Sequence, residues 1–400
     1  MGQNNETAVQ FKPLGLVQRI AFIVGVVAAL LTILGFFIDP LEFFRGYLLG
    51  YVIWIGVALG CLALLMMHYL TSGPWGFVLR RFLEAAVWTL PLLALFFIPL
   101  LFGLPELYPW ARPSLVAQDA LLQHKQPYLN VPFFMVRTAV YLLIWSGMSW
   151  LLLRWSRRQD SSDSWDLRDK ARRLSAPGLI IYLFTASFAA IDWMMSLEPR
   201  WFSSIYGVMV IAGQVLAALA LATGASLWLR RTSPLDELAT PGLFYDLGNL
   251  LLGFLLFWIY LTFIQYLVIW SGNLPEEITW VIRREQDGWL WVSLIVVLLG
   301  FAVPFALLVG SGFEPRTHIL RIVTPLIFVT QIVNVYWLVV PAFYPDGWHI
   351  HWLQLTAPLA LGGLWLGAAL HYLRQHPLLP QQDPRLKEIF AERERSTASP

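Results

Sequence analysis

The side chains of this sequence that could do chemistry are few, and they interrupt long apolar runs: His68, Glu84, Asp246 and His371, then Asp192 and Gln265, with Tyr260, Gln331 and Asn334 between them. Imidazole and carboxyl groups accept and release protons, and a phenol or an amide bridges them through hydrogen bonds. The set therefore has the composition of a proton path. Metal and thiol chemistry have weaker support. Cys61 stands alone, which excludes an internal disulfide, a cysteine-held iron–sulfur cluster and a thiolate zinc site. His349 and His351, with Asp346, come nearest to a ligand set, but i, i+2 spacing in a loop is a weak signal, so no metal and no catalytic residue is assigned. A b-type haem would need two histidines on facing helices at one depth, and only His68 with His371 offers that.

The elements that position these groups are not those of a soluble fold. Of 400 residues, 58% are hydrophobic and 13% charged. A helix crossing a hydrocarbon core of ~30 Å needs roughly 20 apolar residues. Hydropathy gives ten such spans, near 17–38, 46–69, 82–104, 133–155, 177–196, 204–229, 244–270, 289–310, 319–341 and 352–373. A soluble enzyme is excluded, and a net charge of +2 gives no support to a nucleic-acid partner. Lipid cannot satisfy backbone polar groups, so every span is expected to be a helix, in one membrane domain over residues 17–373. The mostly polar residues 1–16 lead straight into a full-length span, which argues against a cleaved signal peptide. Residues 374–400, with Pro377, Pro380 and Pro384, read as a solvated tail without chemistry. Arg154, Arg157, Arg158, Arg168, Lys170, Arg172 and Arg173 crowd one linker, and the positive-inside rule then puts both termini in the cytoplasm. Most of the 20 Trp and 14 Tyr are expected to anchor span ends or to pack.

With that topology the ionisable groups sort by side. His68, Glu84, Asp246 and His371 fall near the cytoplasmic face, whereas Asp192, Gln265, Glu198, Arg200, Glu276, Glu277, Arg283 and Arg284 fall near the outer one. A charged side chain at mid-bilayer costs at least about 2.5 kcal/mol, so each needs a partner or a purpose. Asp246, Asn249, Gly253 and Tyr260 share one stripe of their helix at ~100° per residue. Interhelical hydrogen bonding is the alternative to proton movement for the amides. Glu84 lies three and four residues after Arg81 and Arg80, the spacing of an intrahelical ion pair.

Four stretches between the spans are more specific. They are His68-Tyr-Leu-Thr-Ser-Gly-Pro-Trp-Gly with Arg80, Arg81 and Glu84; Lys125-Gln-Pro-Tyr-Leu-Asn with Phe133, Phe134 and Arg137; Asp192-Trp-Met-Met-Ser-Leu-Glu-Pro-Arg-Trp-Phe-Ser-Ser-Ile-Tyr-Gly; and Tyr245-Asp-Leu-Gly-Asn through Trp258, Tyr260, Gln265, Trp270, Asn273 and Pro275-Glu-Glu. Together they resemble the NrfD-like (polysulfide-reductase membrane subunit) superfamily, and within it the F-type ten-helix subunit of bacterial alternative complex III, a quinol:cytochrome c or electron-carrier oxidoreductase. The likeness covers roughly residues 20 to 375. It departs at Asn249, where Lys is frequent, and at Arg200, where His is common.

The resemblance implies two antiparallel four-helix bundles plus two flanking helices in a bacterial inner membrane. It also implies multihaem cytochrome c subunits, an iron–sulfur/molybdopterin-like subunit and a second NrfD-like subunit as partners. Haem and iron–sulfur groups would then be carried by those partners, with quinone or quinol as the ligand and lipids around the chain. On that expectation Asp192 and Gln265 contact a quinone head, and His68, Glu84, Asp246, Tyr260, His371 and Asp192 make up the proton path. Two other readings compete: a structural anchor for peripheral redox subunits, and a secondary transporter, for which matched broken helices in the two halves would be expected.

Overall fold

A computed structural model describes residues 12–231, 235–310, 316–344, 347–380 and 382–398. Residues 1–11 of the expected N-terminal tail and Asp346 lie outside them. Every regular element among the described residues is helical, as a chain that must close its own backbone hydrogen bonds in lipid requires. Ten of these helices are long and apolar enough to cross a membrane. They are α1 (Lys12–Ile38), α2 (Pro40–Thr71), α3 (Pro74–Phe102), α4 (Val131–Gln159), α5 (Trp165–Trp193), α6 (Tyr206–Leu229), α7 (Pro241–Gly272), α9 (Trp289–Val309), α10 (Arg316–Val339) and α11 (Leu353–Arg374). Between α7 and α9 lies the short amphipathic α8 (Pro275–Glu285), and α12 (Pro384–Ala398) follows the last span.

Packing groups α2–α5 as one set of four and α6, α7, α9 and α10 as another, with α1 and α11 against each other and on α2. The two sets meet where α2 packs on α6. These two are the most enclosed spans. Lipid is as apolar as leucine, so helices gain little by hiding apolar surface from one another, and close approach and polar pairing hold them instead. Gly60 makes that approach possible: a Cβ at this position would stand 2.2 Å from the Gln214 carbonyl oxygen on α6. Gly25 of α1 and Gly363 of α11 do the same, each against the other's backbone.

Helix ends follow local chemistry. Asn130 caps α4, its side chain accepting from the Phe133 N–H at 2.9 Å, with Pro132 in the first turn where a missing N–H costs nothing. Asn273 ends α7 in the left-handed conformation, φ 46°. Arg374 donates to Gln18 at 2.6 Å, so the first and last spans end on one face, here called the terminal face.

Hydropathy misplaces two boundaries. The fifth span begins at Trp165, so the basic residues Arg168, Lys170, Arg172 and Arg173 extend a helix beyond the apolar stretch and are not loop. The segment after Arg374 is not a solvated tail either. Leu378, Leu379, Asp383 and Leu386 are buried, because the chain turns back after its prolines and lays α12 on the terminal face.

Candidate functional site

At the terminal face, α3 presents Arg80, Arg81 and Glu84 on successive turns toward α4 and α5. Arg80 donates to Glu84 at 2.8 Å through Nε, to Asp383 at 2.7 Å through Nη1 and to Ser156 at 2.9 Å through Nη2. Arg81 reaches the other Glu84 oxygen at 2.6 Å and also pairs with Asp160. Arg168 holds both Asp383 oxygens, at 3.0 and 3.1 Å. Three guanidinium groups thus meet three carboxylates, with Arg80, Arg81 and Glu84 at 1% exposure or less. Such charges are tolerated out of water only when each is matched and hydrogen-bonded, as here.

Glu84, nominated for proton transfer, is therefore the shared acceptor of two arginines. His68 lies close by, fully buried, its ring 4.7 Å from Phe77, and Phe77 in turn carries the Arg168 guanidinium at 5.3 Å. Neither His68 nitrogen has a hydrogen-bond partner. The other two inner candidates do not join this cluster. Asp246 is exposed on the outer side of α7, and His371 is exposed on α11 with Gln375 at 3.0 Å as its contact. His68 and His371 consequently do not face each other as haem ligands would.

Midway, Gln331 and Asn334 of α10 are buried and hydrogen-bonded to each other at 3.3 Å, beside Gln214 of α6. Tyr260 is not with them. It is 59% exposed, and Asp246, Asn249 and Gly253 are exposed too, so the polar stripe on α7 is open to the surroundings, with Tyr260 at the mouth of a groove between α7, α9 and α10.

At the far face Asp192 accepts from Arg137 at 2.8 and 2.9 Å and from the Tyr141 hydroxyl at 2.9 Å. Nearby, Glu198 accepts from Arg283 at 2.6 Å and Arg284 at 3.1 Å. Arg284 lies flat on Trp280, 3.8 Å from the ring centre; burial pushes its pKa down, and Glu198 beside it pushes the other way. Trp280 in turn stacks on Trp201 at 4.6 Å. These contacts pin α8 to the connection between α5 and α6, and Arg284 also donates to the Trp337 and Leu338 carbonyls of α10.

Beneath α8 is a cavity of about 600 Å3, between α7, α9 and α10. Gln265 and Tyr260 line it, with Tyr266, Glu285, Ser293 and Trp337. Gln265 is held by the Ser203 hydroxyl, which donates to its Oε1, and Ser293 by the Trp337 indole N–H at 2.7 Å. Most of the remaining wall is apolar, which with a few converging polar groups is the make-up of a small-molecule site. Asp192 does not line this cavity, so the two groups expected around one quinone head are apart.

Reading the sequence missed Asp383, Ser156 and Glu285, and placed Arg137 and Tyr266 in motifs without giving either a role. Arg137 left a signal, being a basic residue inside an apolar span and so in need of an acid. Asp383 left none, because its partners are 303 and 215 residues away. Among the described residues no three His, Cys, Asp or Glu side chains converge on a metal position; His349 and His351 stack at 6.5 Å, and His351 Nδ1 lies 4.0 Å from the Glu42 carboxylate. Comparison with protein-family models and with curated proteins finds no match.

Proposed function

We propose that the chain is an integral-membrane, non-haem subunit of a quinol-oxidising assembly of the alternative complex III kind, and that the groove beneath α8 receives the quinone ring. One observation carries the reading: a largely apolar cavity of about 600 Å3 at span depth, with an amide, two phenols and a carboxylate in its wall. A quinone is a flat ring with carbonyl acceptors on a long apolar tail. The apolar wall suits the tail, and the Gln265 amide and the Tyr260 and Tyr266 hydroxyls suit the ring oxygens. Electrons from quinol need carriers that this chain's side chains do not supply. The reading therefore includes haem and iron–sulfur partner subunits, a second NrfD-like subunit, a bacterial inner membrane and cytoplasmic termini.

Of the three buried proton-path candidates, His68 is the one not held by arginine: both its ring nitrogens lack a hydrogen-bond partner, while Glu84 and Asp192 are each paired. The same saturation of both acids favours the second reading, a structural anchor for peripheral redox subunits.

Photoreactive quinone applied to the complex in native membranes tests the site. Label is expected on α7 between residues 259 and 266, and it should fall in a Gln265→Leu variant that assembles normally. Label confined to other subunits would leave the anchor reading standing and remove this one.

A further inference from the structure

The Lys125 motif, prominent in the sequence, has no part in the groove beneath α8. Lys125 ends a short helix, Ala120–Lys125, in the far-face connection between α3 and α4. Its ammonium donates to the Pro199 carbonyl at 2.6 Å and lies 5.6 Å from the Phe202 ring. An ammonium carries three protons, so two remain for another acceptor. No carboxylate pairs with Lys125 among the described residues: Asp119 is taken by Arg200 at 2.7 Å and Asp192 by Arg137. Burial lowers the lysine's pKa, a cost that an anion beside it would offset.

Lys125 and His124 stand at a second cavity, of about 310 Å3, separate from the groove under α8. Its wall includes Leu129, Ile191, Met195 and Phe202, all apolar, and Trp201. Trp201 is 3% exposed, and its indole N–H, which can only donate, has no acceptor. The cavity sits just beyond the first turn of α4 and the last turn of α5, where two of the membrane-length helices end. Phe202 on its rim and Phe133 nearby are exposed toward the surroundings of the bundle.

One uncompensated cation, one orphaned N–H donor and an apolar wall at the ends of two membrane-length helices match an amphiphile with an anionic, acceptor-rich head. We propose that this cavity binds the phosphate of an anionic phospholipid, with Lys125 and the Trp201 N–H on the phosphate oxygens and the acyl chains against the apolar wall. A zwitterionic head is disfavoured, because among the described residues no carboxylate lines the cavity to meet its ammonium.

The complex, purified in mild detergent, would be titrated separately with phosphatidylglycerol, phosphatidylcholine and inorganic phosphate, and bound mass followed by native mass spectrometry. One phosphatidylglycerol is expected to be retained on the wild type, with phosphatidylcholine and phosphate not retained. Lys125→Met should weaken it about tenfold or more, Lys125→Arg should keep it, and Trp201→Phe, which keeps a ring and deletes the donor, should weaken it about threefold. Equal retention of phosphatidylcholine, or unchanged binding in both Lys125→Met and Trp201→Phe, overturns the proposal. Saturation by phosphate alone overturns the lipid and leaves a site for a free anion. Should Lys125→Met fail to assemble, Trp201→Phe decides.

Discussion

Asp383 meets Arg80 at 2.7 Å across 303 residues of chain, both side chains shut away from solvent. The last described helix is thereby fastened to the third by a buried charge pair in which Arg168 shares.

Removing Asp383 strands the Arg168 guanidinium and leaves Arg80 to share Glu84 with Arg81. Asp383→Ala is expected to destabilise the domain by about 3 kcal/mol or more, because an uncompensated buried charge costs more than the pair gained. Thermal unfolding in detergent measures this. Pairing the change with Arg80→Met should recover part of the loss, since an apolar replacement of similar volume leaves less to compensate.

Glu84→Gln separates its two roles. If Glu84 serves as an ion-pair hub, the variant should assemble poorly and melt earlier, while each assembled complex turns over quinol and builds membrane potential normally. A complex that assembles and melts as the wild type does, yet builds less potential, would return Glu84 to the proton path.

The far-face pair behaves likewise. Arg137→Met leaves Asp192 with only the Tyr141 hydroxyl, and a loss of about 3 to 5 kcal/mol is expected. The double variant Arg137→Met, Asp192→Leu should be less impaired than the single one. Additive effects in that double-mutant cycle would show that the two residues are not coupled.

Gly60→Ala tests the seam between the two helix sets. The new methyl would fall 2.2 Å from the Gln214 carbonyl oxygen, so α2 and α6 must part. A cost of about 1 to 3 kcal/mol is expected. A melting temperature like that of the wild type would mean that the helices do not meet there.

At the start of α4, Asn130→Ala removes the acceptor for the Phe133 N–H and should cost about 1 kcal/mol, whereas Asn130→Asp should be nearly neutral. Both are read from thermal unfolding, and equal losses would argue against the cap.

The ten spans could be read from the sequence because hydrocarbon thickness fixes how many apolar residues a helix needs. Two kinds of information could not. Hydropathy cannot follow a helix that leaves the membrane, so the charged start of α5 and the whole of α12 passed for linker and tail. Periodicity tells which residues share a face but not which way that face looks. Asp246, Asn249 and Tyr260 do lie on one stripe, yet that stripe is open to the surroundings, since in lipid the usual sorting of apolar side chains inward no longer applies. Of the site itself, Gln265 was found by its position in an otherwise apolar run, and the spacing of Arg80, Arg81 and Glu84 already contained their pairing. That Glu285 joins Gln265 and Tyr266 in one cavity wall depends on how α8 folds back, which no local pattern encodes.

The fastening of Asp383 to Arg80 also sets an order in time. At roughly 5 to 20 residues per second, a ribosome makes Asp383 about 15 to 60 s after Arg80. Arg168 follows Arg80 during that interval, and the carboxylate they share comes 215 residues later still. Until residue 383 is made, Arg168 has neither of its Asp383 contacts and Arg80 has only the Glu84 carboxylate. The Asp383 contacts are therefore the last of this cluster's ion pairs that synthesis allows to close.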